Sequence, residues 1–151
     1  PVAAYHAQVA VSDMFGDEPR VADFSLAPSA IFTDPELAAV GLTEADARDR
    51  GFEVETASYA GRDLLRPYYT LPRDASAHGL VKLVFERGSR RVLGLHAVAR
   101  GAAELIQGWD LAIQRGVTVD DIALGHYVFP TVGEAVHYAA ETVSTPAPVG
   151  A

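Results

Sequence analysis

Cysteine is missing from the 151-residue sequence, which removes a thiol nucleophile, a disulfide and a thiolate metal ligand from its repertoire. The absence fits a reducing compartment, and a cytoplasmic location is expected from it. Long apolar runs are missing too. No stretch approaches the ~18 residues of a helical membrane span. The N-terminus also lacks the basic segment and apolar core of a secretory signal. Positive charge is scarce: Lys and Arg number 12 against 20 Asp and Glu, for a formal net charge of -8. That balance opposes phosphate backbones and anionic membranes, so neither nucleic acid nor a membrane is an expected partner.

Catalytic signatures are equally sparse. No Gly-x-Gly-x-x-Gly follows a strand pattern, which argues against a dinucleotide-binding fold within this chain. There is no Gly-x-Ser-x-Gly elbow and no glycine-rich phosphate loop. The histidines His6, His78, His96, His126 and His137 are scattered without metal-ligand spacing, and no metal is expected.

What the chain does have is the profile of one globular domain, with 49% apolar and 21% charged residues. Val2 to Phe15 predicts a helix with Val2, Tyr5 and Val9 on one stripe, closed by Gly16. The Gly-Asp-Glu-Pro after it is linker-like. Residues 1–25 therefore read as a terminal helix and linker from a preceding unit, 26–143 as the domain proper, and 144–151 as a disordered tail.

Within the domain, Ile31-Phe32 suggests a short strand, and Thr43-x-x-Asp46 opens a short helix stopped by Gly51. Phe52 to Tyr59 alternates like a half-buried strand. Gly61 to Ala77 has no regular pattern. Leu80–Phe85 and Arg91–Val98 form the clearest local signal, a hairpin with Gly88 in its turn.

Ala102 to Arg115 predicts one continuous helix, with Leu105, Ile106, Trp109, Ala112 and Ile113 as its apolar stripe. Thr118-x-x-Asp121 caps another short helix that Gly125 stops. His126 to Phe129 is extended, and Glu134 to Val143 is the last helix. Strands beside short helices with a hairpin define an α+β fold: an antiparallel sheet with flanking helices.

The carboxylates Asp34, Glu36 and Glu44 read as helix caps, since acidic groups favour a first turn. Arg87, Arg90 and Arg91 read as a solvated hairpin tip. Trp109 reads as core or subunit interface. The run Phe129-Pro130-Thr131-Val132-Gly133-Glu134 carries a capping box: the Thr131 hydroxyl is expected to take a helix N–H while Glu134 reaches back to the Thr131 N–H. None of these assembles a complete active site.

Four blocks in register resemble a known family. Pro28-Ser-Ala-Ile-Phe-Thr-Asp-Pro-Glu-Leu-Ala-Ala-Val-Gly41 resembles the opening of the C-terminal dimerisation domain of the pyridine nucleotide-disulfide oxidoreductases. Gly79–Phe85, Val92–Val98 and Ala103–Ile113 resemble its central hairpin and long helix. The mercuric reductase and dihydrolipoamide dehydrogenase branches are the most similar, and the match runs from Pro28 to Glu141. Residues 1 to 16 resemble the helix after the second flavin-binding motif of such enzymes. The resemblance implies a homodimer whose longer parent binds FAD and NAD(P)H, with this domain pairing subunits and closing the partner's flavin site. This chain alone is expected to be inactive and not to hold FAD tightly.

In that family the last block reads His-Pro-Thr-x-x-Glu, where the His is a base toward the active-site thiol and the Glu orients it. Here Phe129 stands at the His position, while Pro130, Thr131 and Glu134 match. Phenylalanine cannot hold a proton, so the acid–base step does not carry over. The resemblance instead implies that Phe129 and Pro130 lie near the partner's FAD. His126, three residues upstream, and His137, eight downstream, are the remaining candidates for a replacement base. Two alternatives stay open: a stand-alone interaction module, and a full disulfide reductase that uses another base. Mercuric reductases end in a cysteine pair, and this chain ends in Pro-Val-Gly-Ala, so metal delivery is not implied.

Overall fold

The computed structural model describes residues 2–17, 20–63 and 79–144. Most of the irregular stretch, 64–78, and the tail beyond Ser144 lie outside the described residues. Among the described residues five strands form one sheet: β1 (Ser29–Ile31), β2 (Glu36–Gly41), β3 (Val54–Ala60), β4 (Leu80–Glu86) and β5 (Val92–Ala99). Their order is β1-β2-β5-β4-β3, with every neighbouring pair antiparallel. Among the described residues six α-helices accompany it: α1 (Val2–Phe15), α2 (Glu44–Asp49), α3 (Ala102–Leu105), α4 (Trp109–Gln114), α5 (Val119–Leu124) and α6 (Glu134–Glu141). The expected α+β fold is the one observed.

Alternation decides which face is core. Val81, Leu83 and Phe85 of β4 point to one side and meet Ala97, Leu95 and Val92 across β5. All six are buried in one cluster with Val119 and Ile122 of α5 and Val136, Ala139 and Ala140 of α6. The intervening residues Lys82 and Val84 face the other way. There α2 covers part of the sheet: Lys82 pairs with Glu44, and Ala47 and Val84 are buried outside the main cluster. Both α2 and α5 begin with complete capping boxes, Thr43 with Asp46 and Thr118 with Asp121.

The strand β2 holds the sheet together beside β5. Gly41 pairs with Gly94 there, and Leu42 N–H donates to the Leu93 carbonyl at 2.8 Å. A Cβ on Gly94 would sit 2.1 Å from the Leu42 carbonyl oxygen, a backbone atom that cannot rotate away. Gly94→Ala is therefore expected to destabilise the chain by about 1–3 kcal/mol through forced separation of β2 and β5. Urea unfolding measures it, and a loss under about 0.5 kcal/mol would show that the strands part freely.

One expectation is corrected and two are refined. The single helix over Ala102 to Arg115 is two, α3 and α4, because Gly108 adopts a left-handed φ of 80° that the helical ladder cannot pass through. The stripe survives the break: Ile106 is buried, and Leu105, Trp109 and Ile113 pack on the core. In the hairpin the turn does contain Gly88, but the left-handed residue is Arg90, at φ 59°. Its guanidinium fixes that conformation by pairing with Asp120, donating to the Val143 carbonyl at 2.7 Å and lying over the Phe85 ring. Finally, the apolar stripe of α1 is not buried; its described contacts are with the residues that follow it, through Tyr5 and His6 edge-on to Phe24.

Candidate functional site

The segment between α5 and α6 carries the residues singled out by sequence. Leu124, Val128 and Phe129 are exposed, Phe129 at 62%. Behind them, Glu134 opens α6 and is buried at 5% exposure. Burying a carboxylate is costly unless hydrogen bonds satisfy it. Two do: the Thr131 N–H donates to Oε2 at 2.7 Å, and the Tyr138 hydroxyl donates to Oε1 at 3.1 Å.

The expected capping box is half formed. Glu134 does reach back to the Thr131 N–H, but the Thr131 hydroxyl donates to the Val128 carbonyl at 2.7 Å instead of accepting from the helix. The reason is register. A box capped by Thr131 needs Glu134 as the third helical residue, whereas α6 starts at Glu134 with Gly133 as its cap.

Neither candidate replacement base reaches Glu134 by hydrogen bond. His126 is exposed. His137 is half-buried, with Nδ1 3.3 Å from the Ile122 carbonyl and Nε2 3.4 Å from Glu141. Its ring stacks on Tyr127 at 5.0 Å and neighbours Tyr138 at 5.3 Å. Tyr138 in turn packs on Tyr59 of β3 at 5.1 Å. Four rings thus run from the segment before Phe129, through α6, to the sheet.

The carboxylates read as caps divide. Glu44 lies in the first turn of α2, and its acidity is strengthened by the Lys82 ammonium, then by Arg48. Glu36 caps across space: from β2 its Oε2 accepts the Ala103 N–H of α3 at 3.1 Å. Asp34 caps no helix, because a strand follows it; it lies 3.6 Å from Arg100 in an exposed pair worth little. The arginine tip also divides, since Arg90 is a partly buried tie rather than a solvated charge. Among the described residues no group of three or more His, Asp and Glu could hold a metal. No helix among them is long and apolar enough to cross a membrane.

The ring array has a pH signature. Burial pushes the Tyr59 and Tyr127 phenols up, and the Glu134 carboxylate, accepting its hydroxyl, does the same to Tyr138. The folded chain then keeps phenol protons that the unfolded chain has lost, so stability is full below about pH 10 and falls as pH rises further. Denaturant unfolding across that range checks it. Stability that stays flat above about pH 10 would mean the rings are solvated.

The chain belongs to the family described as pyridine nucleotide-disulphide oxidoreductase, dimerisation domain, whose model matches residues 27–140. Among curated relatives, the mercuric reductase of Streptomyces lividans is 34% identical over 144 residues, covering 95% of this chain and 30% of that enzyme. The dihydrolipoyl dehydrogenase of Haloferax volcanii is 39% identical over 140 residues, covering 93% of this chain and 28% of the enzyme. The chain thus spans less than a third of these relatives. Among solved structures, LpdA from Mycobacterium tuberculosis superposes with a TM-score of 0.82 at 26% identity, covering 95% of this chain and 30% of LpdA. The flavoprotein disulfide reductase RclA from Escherichia coli shares the fold, with a TM-score of 0.79 at 19% identity, over 91% of this chain and 31% of RclA. This is the dimerisation domain of that oxidoreductase family.

Sequence reasoning missed Tyr138, Tyr59, the Arg90 tie and the reach of Glu36. Tyr138 had a signal, since it lies four residues after Glu134 on one helix and so on the same face. The others depend on sheet order, which no local pattern carries.

Proposed function

We propose that the chain pairs two subunits of a FAD-dependent NAD(P)H oxidoreductase and walls off the partner's flavin with the Phe129-Pro130 edge. The single observation carrying this reading is the exposed Phe129, an apolar ring held outward on a buried, hydrogen-bonded support where the family's base would stand. An aromatic ring left in water at the tip of such a support is the kind of group that interfaces bury. Trp109 and Ile113, packed partly on the core, contribute to the same pairing from α4. Within this reading the parent is a cytoplasmic homodimer that binds neither nucleic acid nor membrane and holds no resident metal.

The residues present fit a ring-edge contact and nothing larger. Phe129 and the main chain beside it can meet a flavin, but no phosphate-cradling glycine loop accompanies them. When bound, the flavin supplies the hydride and electron chemistry. The chain's own share is to exclude water and fix position. Phe129 neither gives nor takes a proton, so thiol–disulfide exchange by a base from this chain is outside the reading. Sedimentation tests it: the chain is expected to be dimeric at tens of micromolar, and a monomer there would overturn the pairing.

A further inference from the structure

Glu134 is the only charged or polar side chain counted as buried among the described residues. A carboxylate in that position is held by its donors, and one of the two is a side chain that could have been something else. The Thr131 N–H belongs to the turn and is present whatever residue stands at 129. The Tyr138 hydroxyl, 3.1 Å from Oε1, is a choice made by the sequence.

The phenol is also held still. Its ring lies between Tyr59 at 5.1 Å and His137 at 5.3 Å, and Tyr127 backs His137 at 5.0 Å. Packing from β3, from α6 itself and from the segment before Phe129 therefore aims the hydroxyl at Glu134. With so little of the carboxylate exposed, an N–H arriving from position 129 would meet an Oε1 that the Tyr138 hydroxyl already holds.

We propose that Tyr138 is a positioning residue that occupies the Glu134 carboxylate in place of the imidazole expected at position 129, locking the 129–134 turn in a form that orients no base. The inference rests on the family reading of position 129, and it makes Phe129 and Tyr138 a matched pair. Putting histidine at 129 alone then yields an imidazole without an oriented carboxylate. Recovering the pair takes a second change, at Tyr138.

The test is an NMR titration of the introduced imidazole in the full chain, comparing Phe129→His with Phe129→His/Tyr138→Phe. A carboxylate partner favours the charged ring and raises its pKa. The single variant is expected to titrate near the unperturbed ~6.5, and the double variant about one unit higher. Equal titration in the two, or a raised value already in the single variant, overturns the proposal.

A second measurement avoids the double variant, should that chain fail to fold. The Tyr138 phenol, read by ring-labelled tyrosine NMR, is expected to titrate lower in Glu134→Gln than in the native chain, because the neighbouring negative charge is gone. No change there also overturns it. Neither readout takes flavin binding or subunit pairing as its signal, so a failure of the Tyr138 assignment can be told apart from a failure of the pairing that sedimentation judges.

Discussion

Phe85→Ala is expected to lower the unfolding free energy by about 3–5 kcal/mol, the range for truncating a fully buried phenylalanine. Phe85 has no exposed surface and belongs to the main cluster. Its strand β4 sits between β3 and β5, so no edge is free to collapse into the space left behind. The ring also lies 5.6 Å beneath the Arg90 guanidinium, and removing it loosens the tie from the hairpin to α5 and α6. Phe85→Leu keeps most of the volume and is expected to cost markedly less. Urea unfolding of both variants decides the matter. A loss below about 1 kcal/mol for the alanine would show that the cluster repacks around the gap.

Phe129→Asp is expected to act on pairing rather than folding. At 62% exposure, Phe129 contributes little to the isolated fold, so the monomer's stability should change by less than about 0.5 kcal/mol. In a two-fold dimer each substitution is present twice. If each newly buried, unpaired carboxylate costs at least about 1.4 kcal/mol, the dissociation constant rises by about a hundredfold or more. Sedimentation at graded concentrations measures this. An unchanged constant would take Phe129 out of the interface, while the fold and the family would stand.

The fold was legible where signals were local. The hairpin of β4 and β5, the capping boxes at Thr43 and Thr118, and the terminal helix α6 all follow from spacing and turn chemistry. Misreadings came where geometry beyond the local window decides. Gly108 breaks an otherwise helical stripe, and an isolated glycine in such a pattern does not announce which φ it will take. Arg90 turned from a surface charge into a tie because Asp120 and Val143 converge on it from distant parts of the chain.

The site shows the same division. Phe129 and Glu134 were legible through a six-residue motif, and the bond from the Thr131 N–H to Glu134 was half of the expected box. The second partner of Glu134 was not foreseen. Its ring is aimed by Tyr59, which reaches α6 only because β3 lies at the sheet's edge beside β4. A pattern of spacings names candidates for a role; the packing behind them decides which role each can take.

The Arg90 tie also sets an order of events during synthesis. Its partners lie 30 and 53 residues downstream, so a nascent chain can close the hairpin well before the last knot is fastened. Until Val143 has cleared the ribosome, the part of the sheet that α6 covers stays open, and transiently exposed apolar surface of that kind is what chaperones hold.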